Sequence, residues 1–436
     1  MVITKIIDIL TGKNIAGYYK LYSKTQWLTN EQMQAFQLKK LQKLITHCYN
    51  NVPYYSKIMK SKGITPNDIV SLGNIQLFPI LTKEIIKENY NDFIPINIKS
   101  IKGVKTSQTG GTTGNILFKR NDANTRSSAW ASYKRFTEDW MGVSEQNKRL
   151  TLMGGHVIAS SYKDRIKERI ENFLSNSITF SPYDTSEQNA ENIINSLQNN
   201  KFQLIKSYSQ FLYQLALKLK QRGLKFDVKA ITTTAEPLMQ EHRELFKEVF
   251  NAETFDQYGC GEIGAIAYEC NHHKGLHITE EKVIVEVNEK NDLIVTDLDN
   301  FSMPFIRYYN ADQLILSNEL CTCGRKSKLI KQILGRTCDY VIGDRGQILH
   351  WAYFWHLFFD TNMAKNRNLK KFQVVQQSEA ILLIRLVADP LNEEEKMLII
   401  SDIVNRLGEI EVIFSFESDI ENSSSGKYRP VINKLL

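Results

Sequence analysis

Between residues 101 and 335, short strand-like runs alternate with longer helical runs, and this alternation limits the fold more than any other feature of the chain. The strand-like runs are Arg149–Met153, Lys229–Thr234, Lys282–Val287, Leu293–Thr296 and Gln313–Ser317. The helical runs are Ser186–Gln198, Ser209–Arg222 and Leu238–Phe250. Such alternation is typical of an α/β fold, so we expect α/β layers in this part of the chain.

The two ends of the chain follow different patterns. Residues 1–100 carry apolar side chains at helical spacing and are expected to be mainly helical, with Thr82 capping one helix. After Gly335-Arg336 the residue pattern changes. Three runs resemble strands, namely Phe372–Gln376, Ala380–Val387 and Glu411–Phe416, and they surround a run with helical spacing, Asn392–Leu407. We therefore expect a large N-terminal domain over residues 1–335 and a small α+β lid over residues 336–436.

The composition is that of an ordinary globular protein, with 42% hydrophobic and 24% charged residues. A net charge of +7 is spread in short runs such as Lys39-Lys40 and Lys370-Lys371, which argues against a nucleic-acid partner. No apolar run of 18 residues is present, so no transmembrane segment is predicted. Six cysteines in 436 residues do not form a secreted disulfide framework and favour a reducing cytoplasm.

The stretch Ser107-Gln-Thr-Gly-Gly-Thr-Thr-Gly114 is predicted to be an anion-binding loop. Its glycines can adopt positive φ, so that successive N–H groups converge, and its hydroxyls add donors that can follow phosphate oxygens. Residues 101–106 and 115–120 resemble strands, so the loop is expected to join a hairpin. It fits neither a P-loop nor a Rossmann fingerprint. A flexible hairpin that binds nothing is the alternative.

Four further stretches carry groups suited to a nucleotide. Phe255–Glu262 ends a strand with an aromatic ring that could cover a purine, then a glycine-broken turn and a carboxylate suited to Mg²⁺. Met303–Asp312 places a carboxylate at a strand end, where it suits ribose hydroxyls. Gly335–Asp339 lies at the change in composition, and Ser425–Arg429 sets Lys427 on a glycine turn.

In this order, the five stretches resemble the adenylate-forming superfamily of acyl-CoA synthetases. The resemblance is strongest to the phenylacetate–CoA ligase branch, including CapK-like proteins found with capsular polysaccharide genes, and spans roughly residues 50 to 430. It implies a large N-terminal domain, a small C-terminal lid and a two-step reaction. A carboxylate and ATP would give acyl-AMP and pyrophosphate, and an acceptor would then take the acyl group.

The resemblance implies a role for each matching residue. The triphosphate loop would comprise Ser107, Thr109, Gly110, Gly111, Thr112, Thr113 and Gly114. The adenine would be framed by Ala235, Glu236, Pro237, Tyr258 and Gly259. Asp312 and Arg336 would hold the ribose, and Glu262 would bind Mg²⁺. Lys427 would pair with the reacting carboxylate and the α-phosphate.

These roles agree with the electrostatics of the reaction. The attack of a carboxylate on a phosphorus brings two anions together, so a metal and a positioned cation are needed. Taken singly, Glu262 is equally well a surface turn residue, and Lys427 a solvated lysine. Two positions depart from the family pattern, since Gly261 stands where most relatives carry Ser or Thr and Cys338 where many carry Asp.

A second cluster is predicted to bind zinc. The run Cys270–His277 contains one cysteine and three histidines, and Cys321-Thr-Cys323 follows later. Three cysteines with one histidine form a closed structural set for Zn²⁺. The possible histidines are His272, His273 and His277. The resemblance supports Cys270, His277, Cys321 and Cys323. The alternative is reduced thiols without metal, and no catalytic role is expected of this ion.

Four stretches with aromatic, histidine or hydroxyl-bearing side chains are candidates to line the acyl pocket. They are Trp130–Trp140, Gly154-Gly155-His156, Tyr208 and Thr232–Thr234. By similarity to adenylating enzymes, His156 would border the carboxylate and act in catalysis beside Lys427 and Glu262. A partly buried histidine bonded to backbone is the alternative, and no residue identifies the acid.

The resemblance therefore predicts an ATP- and Mg²⁺-dependent carboxylate ligase with coenzyme A as the default acceptor. An amide-forming ligase that uses an amine, such as a sugar precursor, is the alternative. A further alternative is a nucleotide-binding scaffold without turnover. The presence of all four of the predicted functional residues argues against it, namely Glu262, Asp312, Arg336 and Lys427. The oligomeric state is open, a homodimer included. The lid is expected to turn about residues 336–339 between the two steps.

Overall fold

In this computed structural model the described residues are 2–108, 117–153, 172–173, 175–182, 187–336, 340–355, 357–358, 367–421 and 428–435. The helices are α1 (Val2–Thr11), α2 (Ile15–Thr25), α3 (Asn30–Asn51), α4 (Pro53–Ser61), α5 (Lys83–Glu88), α6 (Ala123–Arg135), α7 (Glu187–Asn199), α8 (Ser209–Gln221), α9 (Gln240–Phe250), α10 (Trp351–Trp355) and α11 (Glu393–Leu407). The first strands are β1 (Lys105–Gln108), β2 (Phe118–Asn121), β3 (Arg149–Leu152), β4 (Ser177–Thr179), β5 (Leu204–Ser207), β6 (Ala230–Thr234), β7 (Glu253–Cys260), β8 (Gly264–Glu269) and β9 (Leu276–Ile278). The remaining strands are β10 (Val283–Val287), β11 (Asp292–Asp297), β12 (Tyr308–Leu316), β13 (Leu329–Arg336), β14 (Tyr340–Ile342), β15 (Ile348–His350), β16 (Lys371–Ser378), β17 (Ile381–Val387), β18 (Glu411–Phe416) and β19 (Val431–Asn433).

The first hundred residues are mainly helical, as predicted. α3 begins at a capping box, in which the Thr29 hydroxyl accepts from Gln32 N and the Gln32 side chain accepts from Thr29 N. The buried side chains of α3 are Met33, Gln37, Leu41, Leu44, Ile45 and Cys48. They recur at helical spacing, so this face packs on the core of the main sheet. Thr82 caps α5 as expected, because its hydroxyl accepts from Ile85 N.

An eleven-stranded sheet forms the centre of the described chain, in the order β10-β11-β12-β13-β9-β8-β7-β6-β5-β3-β4. Strands β7, β6, β5, β3 and β4 pair in parallel, and the other neighbours pair antiparallel. α7, α8 and α9 pack on the parallel half through apolar side chains such as Ile193, Leu212 and Phe246. The predicted α/β architecture is therefore confirmed.

The parallel half creates an edge that is suited to a ligand. Because β5, β6 and β7 are parallel and in register, their carboxyl ends lie on one side of the sheet. In open α/β sheets, ligands bind outside the carboxyl ends of the strands. β7 turns back into the antiparallel β8 at this edge, and the turn carries Glu262.

Two strands differ from their predicted bounds. β12 begins at Tyr308 rather than Gln313, so Asp312 lies inside the strand and not at its end. β7 continues through Gly259 to Cys260, so the predicted glycine turn begins later. Pairing with β13 extends β12, and pairing with β8 extends β7. The local sequence of a strand does not reveal which strand it will pair with.

A second, four-stranded sheet lies in the C-terminal part, in the order β18-β17-β16-β19. Asn392 is the N-cap of α11, where its side chain accepts from Glu395 N, and the helix packs on this sheet through Ile399 and Ile403. The strands and helix predicted for this region are all present. The sequence also predicts an insert for the zinc site at about residues 268–325, and in the structure this range contains β9 to β12 of the main sheet.

None of the helices in the described ranges is both long enough and apolar enough to cross a membrane.

Candidate active site and metal centre

Glu262 is a carboxylate held almost entirely out of solvent, with 9% of its surface exposed. Its Oε1 lies 3.3 Å from Nζ of Lys83, in the first turn of α5. Lys119 Nζ, on β2, donates a hydrogen bond of 3.2 Å to the Glu262 backbone oxygen. Burial and the charge of Glu262 raise the pKa of Tyr308. A buried carboxylate needs a cation beside it, and an ammonium occupies that place here, so Glu262 fits the predicted Mg²⁺ ligand.

Tyr258 and Asp312 come together from two strands that are not neighbours in the sheet. The Tyr258 hydroxyl donates to Asp312 Oδ2 at 2.5 Å. Asn310 Nδ2 donates to the same Oδ2 at 2.8 Å and to the Tyr258 hydroxyl at 3.2 Å. Burial and the charge of Asp312 raise the pKa of Tyr258, so its ring stays neutral. Arg336 pairs with Asp312 in the backbone register of β12 and β13.

The Ala-Glu-Pro segment adopts a strained backbone. Ala235 has φ +66°, a left-handed conformation that costs an L-residue roughly 1–2 kcal/mol. The segment is fixed at the start of α8, where Gln210 N donates to Glu236 Oε2 at 2.9 Å and Ser209 Oγ donates to Pro237 O at 2.7 Å. Strain of this kind tends to be kept at functional sites. The segment lies directly after β6, at the ligand edge.

Only the base of the predicted triphosphate loop lies in the described chain. β1 and β2 form the expected antiparallel hairpin, in which Ser107 pairs with Lys119. The predicted residues Thr109, Gly110, Gly111, Thr112, Thr113 and Gly114 lie outside the described residues. So do His156, Cys338 and Lys427. Because Lys119 bonds the backbone of Glu262, the hairpin that carries the loop stands beside the carboxylate.

The C-terminal sheet meets the main domain across a cavity of about 490 Å³. Glu236 and Tyr208 line it from one side, and Lys371 and Tyr428 from the other. Gln214 Nε2 also donates to Lys370 O at 2.8 Å. Tyr428, the residue after Lys427 in the sequence, therefore opens onto the same cavity as Glu236 of the predicted adenine segment. Tyr208, expected in the acyl pocket, lines this cavity instead.

A separate cavity of about 330 Å³ lies beside Tyr258, between α6 and the sheet. Three residues of the predicted acyl pocket line it, Trp130 and Tyr133 from α6 and Thr234 from the end of β6. Its volume falls within the range of small-molecule pockets. It adjoins Gly259 and Cys260, so a bound molecule would lie close to the nucleotide residues.

The four residues predicted to bind zinc form a single cluster. One possible ligand atom from each of Cys270, His277, Cys321 and Cys323 lies within 4.8 Å of every other. The Cys270 and Cys321 sulfurs are 3.6 Å apart, and the Cys323 sulfur is 3.4 Å from His277 Nε2. Tetrahedral Zn–S and Zn–N bonds imply edges of about 3.5–3.8 Å. The donor set and its spacing therefore fit zinc.

The surroundings of the cluster select His277 among the three histidines. Its Nδ1 lies 2.8 Å from Ser327 Oγ, which leaves Nε2 directed at Cys323. Ligating histidines commonly bond a polar group through the other ring nitrogen. His272 Nδ1 instead contacts Thr322 Oγ1 at 2.8 Å, and His273 Nδ1 lies 3.1 Å from Glu269.

Burial and neighbouring charges shift the cluster's pKa values. Burial raises the pKa of the Cys270 thiol to about 12 and also raises that of Cys321. For Cys323, burial acts upward but hydrogen bonds from Arg325 outweigh it, so its pKa is lowered. Burial, with the charge of Arg325, lowers the pKa of His277 to about 3. At neutral pH the imidazole is therefore a free base, as a zinc ligand must be.

Sequence reasoning missed Lys83 and Asn310. A signal existed for Lys83, because it directly follows the helix cap Thr82. A cation in the first turn opposes the helix dipole, and an acidic partner elsewhere would offset that cost. No local signal marked Asn310, whose bonds to Tyr258 and Asp312 depend on tertiary packing.

Comparison with known proteins gives relatives over most of the chain. Residues 341–434 match the family described as CapK C-terminal domain. The chain is 26% identical to Protein CapK of Staphylococcus aureus over 414 residues, 92% of this chain and 89% of that protein. It is 23% identical over 343 residues to phenylacetate–coenzyme A ligase of Thermus thermophilus, 72% of this chain and 73% of that protein.

Solved structures show the same fold. The structure of 2-hydroxyisobutyryl-CoA ligase in its postadenylation state, in complex with R3-HIB-AMP, matches 94% of this chain and 91% of its own. The TM-score is 0.73 at 16% sequence identity. The match extends over both sheets, so the large domain and the small C-terminal domain have counterparts in one known protein.

Proposed function

We propose that this protein, which belongs to the adenylate-forming superfamily in the branch of the phenylacetate–CoA ligases and CapK, is an ATP-dependent carboxylate ligase. In the first step a carboxylate oxygen attacks the α-phosphorus of ATP, the bond to the β-phosphate breaks, and pyrophosphate leaves with the electron pair. In the second step the acceptor attacks the acyl carbon, loses one proton, and AMP leaves with the electron pair. The default acceptor is the thiol of coenzyme A.

The observation that carries the proposal is the convergence of three elements on one edge of the sheet. Glu262 is nearly buried with a lysine at 3.3 Å, and Tyr258 bonds Asp312 at 2.5 Å. The Ala235 backbone is held left-handed beside them. A buried anion with a cation beside it, a neutral aromatic ring and a carboxylate are the groups that a magnesium–nucleotide complex needs.

Each residue would make a distinct contribution. Glu262 would hold Mg²⁺, which when bound offsets the phosphate charge during attack. Tyr258 would stack on the adenine, held in place by Asp312, which together with Arg336 would face the ribose. Ser107 and the rest of the glycine–hydroxyl loop would bind the triphosphate. Lys427 would approach from the lid to pair with the two reacting anions.

The lid proposal rests on the cavity and the hydrogen bond between the C-terminal part and the main domain. We place the domain boundary near residue 336, and Tyr428, which follows Lys427, lines the cavity opposite Glu236. Rotation of the lid about residues 336–339 would move Lys427 away from the reacting groups after the first step and would bring the acceptor to them for the second. Zinc at Cys270, His277, Cys321 and Cys323 would be structural. The thiols suit a reducing cytoplasm.

An amide-forming ligase is the second candidate, and one observation favours it. The C-terminal residues 341–434 match a domain described by CapK rather than by a CoA ligase. The lid contributes to the acceptor side in the lid-rotation scheme, so a CapK-like lid favours an amine acceptor such as a sugar precursor in capsular polysaccharide synthesis.

Carboxylate-dependent exchange of pyrophosphate into ATP tests the proposal. Over a panel of acids, either ligase gives exchange with at least one acid, whereas a nucleotide-binding scaffold gives none. Thioester or amide formation with coenzyme A or with amino sugars then distinguishes the two acceptors.

Replacement of the lid lysine tests its role in one step only. Lys427→Ala is expected to abolish exchange yet to leave the thiolysis of supplied acyl-AMP largely intact. Equal loss of both steps would contradict the lid rotation.

A further inference from the structure

Lys206 stands in the wall of the 330 Å³ cavity beside Tyr258. It lies on β5, where Leu204, Ile205 and Ser207 are buried and Lys206 alone is half-buried. Its ammonium lies 4.2 Å from the centre of the Tyr133 ring, on α6. This ring face is its neighbour, and no carboxylate or hydrogen-bond acceptor of the described residues contacts its Nζ. The three N–H donors are therefore available to a ligand.

The cavity is otherwise uncharged. Among its described lining residues Lys206 is the sole ionised group, and the wall contains no aspartate or glutamate. Trp130, Tyr133 and Tyr268 give it flat aromatic surfaces, while Thr234 lies towards the nucleotide edge. A lysine here faces apolar walls with a ring as its neighbour, and a cation so placed favours a negatively charged partner.

We propose that this cavity binds a carboxylic acid that carries a second negatively charged group at its far end, and that Lys206 recognises that group. The inference rests on the proposed function, because the first carboxylate is the one to be adenylated near Tyr258. The class of substrate is thus a dicarboxylic acid, or an acid with an equivalent oxyanion, with an apolar or aromatic middle that packs on Trp130 and Tyr133.

Strand geometry sets the length of this acid. Lys206 pairs in register with Thr232, and Thr232 with Phe255. Tyr258 is three residues further along β7. Two strand spacings and three residues of rise give roughly 14 Å between the Cα atoms of Lys206 and Tyr258. The lysine side chain spans part of this distance, and for the remainder we expect an acid with a spacer of several carbons or a ring rather than one of malonate size.

Matched pairs of acids test the inference in the exchange assay. Phenylacetate is compared with 4-carboxyphenylacetate, and hexanoate with adipate, in the wild-type protein. The expected result is a higher kcat/KM for the dianionic member of each pair by about 10-fold or more, the scale of a hydrogen bond to a charged group.

Variants then assign the preference to one side chain. Lys206→Met keeps the apolar stem and should reverse the preference, whereas Lys206→Arg should keep most of it. Lys201→Met, at an exposed lysine before the same strand, is the matched control and should change nothing. Unfolding midpoints of the variants show that each is folded.

Three outcomes overturn the inference. Exchange with the monoanionic acids but not with the dianionic ones shows that the cavity does not bind a second charge, and leaves the proposed function intact. A preference for the dianionic acids that survives Lys206→Met assigns recognition elsewhere. Absence of exchange with every acid overturns the proposed function and this inference with it.

Discussion

The two ends of β8 carry sites of different construction. The first residue of the strand follows the Glu262 turn and the last precedes Cys270, so the sites are separated by about 17 Å of one strand. At the metal end, Cys270, Cys321, Cys323 and His277 each offer a ligand atom within 4.8 Å of the other three. At the nucleotide end, the charges come from separate elements and a cavity lies open beside them.

This difference indicates two separate roles for one sheet. The metal end joins two loops of the sheet into a closed set of ligands, and such a set contributes to folding. The nucleotide end holds a buried acid, a lysine and left-handed backbone at Ala235, which cost stability and suit binding. Changes at the metal end should therefore reduce stability, and changes at the nucleotide end should reduce activity.

The largest effect is expected from loss of a metal ligand. Cys321→Ser should lower the free energy of unfolding by several kcal/mol, because structural zinc contributes roughly 10–16 kcal/mol in small peptides. Removal of zinc from the wild-type protein with a chelator should lower the free energy of unfolding by the same amount. Elemental analysis should find one zinc per chain. Denaturant unfolding with and without chelator measures both.

A buried cysteine outside the cluster provides the control. Cys48→Ala removes a fully buried thiol in the main core and should cost about 1 kcal/mol, independent of chelator. If the purified protein contains no zinc and its unfolding does not respond to chelator, the three cysteines of the cluster are reduced thiols without metal.

The next effect should appear in activity. Glu262→Gln removes the buried charge beside Lys83 and should reduce pyrophosphate exchange by about 10²–10³, the usual cost of one electrostatic partner. The unfolding midpoint and the zinc content should stay near the wild-type values. Glu289→Gln, an exposed glutamate between β10 and β11, serves as the control and should leave exchange unchanged. A large loss of stability in Glu262→Gln would place the carboxylate in the folding core instead.

How far the sequence predicts each site follows from how local its contacts are. The Thr82 cap and the β1–β2 hairpin around Ser107 arise from neighbouring residues, so their patterns were readable. The pair of Tyr258 and Asp312, 54 residues apart, forms only when the sheet brings β7 and β12 together. Motif resemblance named both residues, but the local pattern placed Asp312 at a strand end, because the pairing that extends β12 is not local.

The lysine contacts are the clearest example of what could not be predicted. Lys83 approaches Glu262 from a helix far away in sequence, and Lys206 lies on β5, a strand of four residues that no periodicity marked. Neither lysine belongs to a motif. Their roles follow from burial and charge, which only the folded chain provides.

A third effect couples the metal end to pH. Burial raises the pKa of Cys270 to about 12 and raises that of Cys321, so both bind a proton at neutral pH. His277, with a pKa of about 3, binds none between pH 6 and 8. Zinc must therefore displace at least two protons, and its apparent Kd should rise about 100-fold for each unit by which pH falls. Calorimetric titrations in buffers of different ionisation enthalpy count the protons. A slope near zero would mean that the thiols are already ionised, and exchange activity at saturating zinc should not follow this slope.

The smallest effect is expected at the tyrosine that bonds Asp312. Tyr258→Phe keeps the ring for the adenine but removes its hydroxyl donor to Asp312. Asp312 still accepts a hydrogen bond from Asn310. Loss of one hydrogen bond to a charged group is worth about 1.5 kcal/mol, so KM for ATP should rise roughly 10-fold with little change in kcat. Zinc content should not change, because the hydroxyl that is removed bonds Asp312 and Asn310 and none of the four zinc ligands. If this substitution released zinc or lowered the unfolding free energy as much as Cys321→Ser, the two ends of the strand would form one cooperative unit, and the division between a stabilising end and a reactive end would be wrong.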